Sequence, residues 1–137
     1  MNGRIWAALL IVLLALPGCF QLNVWLATAW AAPPAAADPV RGETIFRAGT
    51  ADAPPCSTCH QVSTDGMGFS LGPNLAGVAA RAGARVDGMS TAQYLADSIL
   101  HPEHYVVAGY HVSMFADYAA YLAPQDVADL VAYLLTL

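Results

Sequence analysis

The stretch PPCSTCHQV, residues 54–62, sets two cysteines three positions apart and places a histidine directly after the second. Three chemistries use such a segment: a metal ion held by thiolates, a thiol–disulfide pair, or a covalently attached haem. A structural zinc site needs four ligands and usually two such cysteine pairs, and the further nitrogen donors His101, His104 and His111 lack the spacing of a zinc-finger half site. A redox pair suits an oxidising compartment. That motif, however, normally opens a helix after a strand in a βαβ unit, and the flanks of Cys56 and Cys59 show no strand pattern. Haem attachment uses every fixed position. Two thiols separated by two residues reach two vinyl groups on one porphyrin edge, and His60 is then placed to offer its imidazole to the iron. Haem is therefore the favoured reading, with thiol chemistry and zinc as its rivals.

The chain of 137 residues has room for one small domain besides its N-terminus. Its 57% hydrophobic content and mean hydropathy of +0.48 are high for a soluble protein of this size, and the excess sits at one end. Residues 5–16, IWAALLIVLLAL, are all apolar and follow a short polar start containing Arg4. This pattern reads as an export signal or a membrane anchor within residues 1–30. Three endings compete. LPGC at residues 16–19 resembles a lipobox, with Cys19 as the lipidated residue. An uncut segment to Trp30 is long enough to span a bilayer, with Trp25 and Trp30 as interface anchors. Cleavage near AWAA would release a soluble domain. All three place the remainder outside the cytoplasm, and the anchored forms are preferred.

Residues 31–38, AAPPAAAD, hold no apolar side chain larger than alanine or proline and read as a semi-stiff linker. The globular part is expected over residues 39–137. From Asp38 onward there are four Arg, no Lys and all ten acidic residues, a formal charge of −6. Such a surface cannot neutralise phosphates, so nucleic acid is excluded as a partner. A protein with a basic or apolar patch fits better.

Helical grammar recurs along this part. Residues 39–48 suit a helix, with Pro39 in its first turn, Glu43 near its positive end and Val40, Ile45 and Phe46 available for packing. Gly42 and Phe46 share a face. Ser90 and Gln93 form a capping box ahead of Tyr94, Leu95, Ile99 and Leu100, and Pro102 marks the end. A last helix starts at Pro124, with Asp126 in its first turn and Val127, Leu130, Val131, Leu134 and Leu135 as one stripe. Ala123 is a poor cap, so this start is expected to fray. Residues 70–77, SLGPNLAG, read as a loop in which Gly72 and Gly77 allow turns. No run alternates as a strand does.

From GETIF, CSTCH, GPNLAGVAAR and DLVAYLLTL, the sequence from about residue 38 to 137 resembles the small, class I monohaem c-type cytochromes. The resemblance implies an all-α fold of about three to five helices wrapped around one covalent haem c. It implies that Gly42 permits a close helix crossing and that Phe46 stacks near Tyr133. It also implies that the Pro73 carbonyl accepts the proton on the other ring nitrogen of the ligating histidine. The expected cofactor-binding residues are Cys56, Cys59, His60 and Met114, with His60 and Met114 on the iron. Met114 is preferred to Met67, seven residues past His60, and to Met89 beside a helix start, because such cytochromes present methionine from a loop like residues 108–118. Phe115 stands where the family usually has proline, so Met114 is expected to be loosely supported, with His111 as its competitor. Tyr105, Tyr110, Tyr118 and Tyr121 are open between closing the haem crevice and ordinary packing.

The function these features imply is electron transfer on the outer side of the cytoplasmic membrane. The expected partners are membrane redox complexes, a quinol-oxidising complex and a terminal oxidase by analogy. Two alternatives stand beside the shuttle: a fixed cytochrome subunit of a larger membrane oxidoreductase, with Gln21 and Asn23 as interhelical contacts, and a ligand-binding haem enzyme with an open iron site.

Overall fold

The computed structural model describes residues 36–65, 70–111 and 114–137. The expected signal or anchor, with Cys19, Gln21, Asn23, Trp25 and Trp30, and the alternative ligand Met67 lie outside the described residues. No helix among the described residues is long and apolar enough to cross a membrane.

Helix α1, Pro39–Ala48, begins where local chemistry sets it. The Asp38 carboxylate accepts from the Val40 N–H at 2.9 Å and the Arg41 N–H at 3.3 Å, and Pro39 occupies the first helical position. It stops at Gly49, whose φ of 74° lies in the left-handed region. A single 3₁₀ turn, Cys56–Thr58, follows, then the short helix α2, Val78–Ala82. Helix α3, Thr91–Leu100, carries the expected capping box in both directions: Gln93 N–H to the Ser90 hydroxyl at 3.3 Å, and Ser90 N–H to Gln93 Oε1 at 2.9 Å. Helix α4, Tyr118–Tyr121, and helix α5, Pro124–Leu134, complete an all-α fold with no strand among the described residues.

The core forms where α1 crosses α5. Phe46 is 2% exposed and Leu130 1%, and the Phe46 and Tyr133 rings meet with centroids 5.4 Å apart at 53°. Gly42 makes this crossing possible. A Cβ there would lie inside the van der Waals shell of the Asp129 carbonyl and 2.9 Å from Tyr133 Cβ. Helix α3 packs Tyr94, Leu95 and Ile99 into the same core, and Tyr118 enters it from α4.

Several expectations change at the ends of these helices. The Ala123 start of α5 is pinned rather than frayed, because the Asp126 carboxylate accepts from the Ala123 N–H at 2.9 Å and also pairs with Arg41 of α1. Glu43 lies past the first turn and bonds Arg47 four residues on, at 2.8 Å. Val40 is 73% exposed, and Leu135, just beyond the last turn of α5, is 43% exposed.

A polar cluster lies against the apolar crossing. Asp129 accepts from the Asp38 N–H at 2.8 Å, from Gln125 Nε2 at 2.8 Å and from the Arg41 guanidinium, which thereby bridges Asp126 and Asp129. Burial pushes the Asp129 carboxyl up, but the bonds from Asp38, Arg41 and Gln125 outweigh it and hold the group below its ordinary value of 3.8.

Two outcomes follow from this geometry. Gly42→Ala is expected to cost about 3 kcal/mol or more, because backbone rather than a flexible side chain meets the new methyl, and calorimetry should show a melting temperature lower by roughly 10 °C or more. Because the folded-state pKa of Asp129 is depressed, its contribution is present above about pH 4 and disappears as pH falls below that value. Asp129→Asn should therefore lower stability at pH 7 and flatten its dependence on pH below about 4, as denaturant titration at several pH values would show.

Candidate functional site

The 3₁₀ turn organises the CSTCH segment. Both the Cys59 N–H (3.1 Å) and the His60 N–H (3.0 Å) bond to the Cys56 carbonyl, and the Ser57 hydroxyl reaches the Arg47 carbonyl at the end of α1 at 3.2 Å. Cys56, Cys59 and His60 are thereby wound around one turn and all line one cleft. The cleft encloses about 1140 Å³ of empty space, part of it open to solvent, and Phe46, Leu95, Ile99, Leu130 and Leu134 contribute apolar wall. Met114 lines the same cleft and packs against the core, and His111 is also on its wall. All four residues expected from the sequence thus come together, although 54 positions of chain separate His60 from Met114.

The loop after the turn is tied back onto it. The Gly72 N–H bonds the Cys59 carbonyl at 2.9 Å, the Leu75 N–H bonds the Gln61 carbonyl at 2.7 Å, and Asn74 Nδ2 bonds the Ser63 carbonyl at 2.8 Å. This docking sets the Pro73 carbonyl 2.8 Å from His60 Nδ1. A carbonyl can only accept, so Nδ1 carries the proton and Nε2 keeps its lone pair for a metal. Gly72 serves clearance rather than turning: a Cβ there would lie 2.5 Å from His60 Cε1 and 2.8 Å from Nδ1. The turn role expected of both glycines is met at Gly77, with φ 67° at the start of α2. Sequence reasoning missed the clearance, because only the folded loop brings the ring to residue 72.

These features favour one of the chemistries open at the outset. Two thiols, an imidazole with its tautomer set and a thioether, all on a mostly apolar wall, form a donor set that fits haem c. Residues 39–137 match the family model described as cytochrome c. The chain belongs to the cytochrome c family. Its cofactor is covalently attached haem c, and its domain supports haem-based electron transfer. No curated protein matches the chain.

The other candidates in this cytochrome fall into place around the cleft. Met89 packs against the core as a half-buried side chain. Tyr105 meets Tyr94 edge-on at 5.6 Å and lines the cleft with Tyr110, whereas Tyr121 is 47% exposed. Tyr118 is buried, and its hydroxyl donates to the Pro54 carbonyl at 3.0 Å, two residues before Cys56. His101 and His104 lie on an exposed turn after α3.

Phe115 makes ring contacts of its own beside Met114. Its ring meets Tyr118 edge-on at 5.1 Å and stacks on Tyr121 at 5.8 Å and 30°. These ring contacts, with the Tyr118 hydroxyl on the Pro54 carbonyl, link the residue after Met114 to the segment before Cys56. The spacing of aromatics at 115, 118 and 121 was visible in the sequence, but not which rings would meet. Phe115→Ala should loosen this segment locally. Amide hydrogen exchange is expected to rise over residues 114–122 and to stay as in the wild type over residues 39–48 and 124–134.

Proposed function

We propose that this cytochrome is a membrane-tethered electron carrier of the class I kind, in which Cys56 and Cys59 would hold the haem through thioether bonds and His60 and Met114 would ligate its iron. The observation that carries the reading is the shared cleft: a histidine whose Nδ1 is tied to the Pro73 carbonyl and a half-buried methionine line the same apolar wall as the two thiols. Haem c supplies a reversible ferrous–ferric couple. The chain's own residues do the rest. Pro73 and Gly72 hold the His60 ring in one orientation and one tautomer, which makes it a better donor. Met114, braced by the Phe115 cluster, would raise the potential relative to a second histidine. Phe46, Leu95, Ile99 and Leu130 exclude water, and the exposed Leu71 and Val106 on the cleft wall offer an apolar rim to a redox partner.

The location rests on the sequence. The apolar residues 5–16 and the Ala/Pro linker support an exported domain held at the outer face of the cytoplasmic membrane, in the periplasm or its extracytoplasmic equivalent. A tether of that length raises the carrier's effective concentration near membrane complexes of a respiratory or photosynthetic chain. The alternative is a fixed subunit of a membrane oxidoreductase. Purification in mild detergent separates the two: a lone small haem protein supports the carrier, and a stable assembly supports the subunit.

Met114→Ala tests the ligand set. The weak far-red band of methionine-bound ferric haem should vanish in the variant, and carbon monoxide should bind the reduced variant rapidly but the wild type slowly. An unchanged low-spin spectrum would transfer the role to His111. Rapid binding of carbon monoxide by the wild type would favour a ligand-binding haem enzyme instead.

A further inference from the structure

We propose that the turn following α3 is a second metal site, for a divalent transition ion of the zinc or copper class, built from His101, Glu103 and His104. Their donor atoms all lie within 4.8 Å of one another, and all three side chains are exposed. Main-chain geometry holds them together: His101 caps α3, Pro102 occupies the next position of the turn, and the His104 N–H closes it on the His101 carbonyl at 3.0 Å. The two imidazoles stack with centroids 4.7 Å apart at 22°, and Glu103 Oε1 lies 3.8 Å from His104 Nε2.

The neighbour on α3 makes this more than a chance gathering. The Asp97 carboxylate oxygens lie 3.1 and 3.2 Å from His104 Nδ1. A carboxylate accepts, so it fixes the proton on Nδ1 and leaves Nε2, the nitrogen nearest Glu103, as a donor to a metal. Two imidazoles and one carboxylate with open positions form a set that zinc accepts and that imidazole-preferring copper also takes. Tetrahedral zinc would draw the donors to roughly 3.3 Å apart, and because a ring nitrogen donates in the plane of its ring, the His101 ring would turn out of its stack on His104 to face the same ion, a rotation its exposure allows. The formal charge of −6 from Asp38 onward favours cation capture. Because Pro102 and Tyr105 line the haem cleft, the ion would sit at its rim.

The test uses the full-length, haem-bearing protein in mild detergent, without an affinity tag and in metal-free buffer, so that His60 is already engaged. Calorimetric titration with Zn²⁺ alone should show one ion per chain. His101→Ala and His104→Ala should each weaken binding tenfold or more, and Asp97→Asn about tenfold, with the visible haem spectrum unchanged as the check on folding. Absence of stoichiometric binding by the wild type, or wild-type affinity in the His101→Ala/His104→Ala double variant, overturns the proposal. Should a variant fail to mature, electron paramagnetic resonance of Cu²⁺ added to the wild type decides: coupling to two imidazole nitrogens supports the site, and its absence removes it.

Discussion

Helix α1 can lie against α5 only because residue 42 has no side chain. At that point the backbone of Asp129 occupies the space a Cβ would need, and the closeness of approach brings the Phe46 ring onto Tyr133 and buries Leu130. The same approach brings Arg41 within reach of Asp126 and Asp129, so a bidentate cation crosses from one helix to the other beside the apolar contact. The two terms differ in kind. Apolar packing favours any close arrangement, whereas the hydrogen-bonded carboxylate at Asp129, 1% exposed, tolerates one register because a slip would leave a buried charge without its donors.

The haem cleft inherits its dimensions from that crossing. Phe46, Leu130 and Leu134 contribute wall from α1 and α5, while the CSTCH turn is fastened to the end of α1 through Ser57 and Arg47. His60 is then positioned by a loop whose backbone is tied across residues 59–63, not by its own helix. The arrangement suits a group that must change charge without moving. The imidazole is held at Nδ1, its ring is bounded by Gly72, and the methionine segment is braced by aromatic contact to Tyr118, which bonds back to Pro54 beside the first cysteine.

What could be read in advance divides by distance along the chain. The capping box at Ser90 and Gln93 was legible because both partners lie within one helical turn, and so was the buried stripe from Val127 to Leu134. The frayed start expected at Ala123 was a misreading for the complementary reason: the support comes partly from Asp126 and partly from Arg41, more than eighty residues upstream. Leu135 is assigned to the packed stripe by periodicity and Val40 is expected to be available for packing, yet both lie at helix ends and are exposed. Phe115 reads in the sequence only as lacking proline's local restraint, and its contacts with Tyr118 and Tyr121 were not legible because rings meet through space.

The amino-acid sequence by itself favoured one cofactor chemistry and set the helical fold class, since two thiols and an imidazole at fixed spacing, and apolar residues at helical period, are properties of a few consecutive residues. It also marked Met114 and Pro73 as candidates through the family resemblance. Only the tertiary structure decided that residue 72 must be glycine because of a ring held twelve positions earlier, that Asp129 is paired rather than stranded, and that Met114 and His60 share one cavity. Each of these depends on distances between segments far apart in the chain, and such distances exist only once the helices have packed.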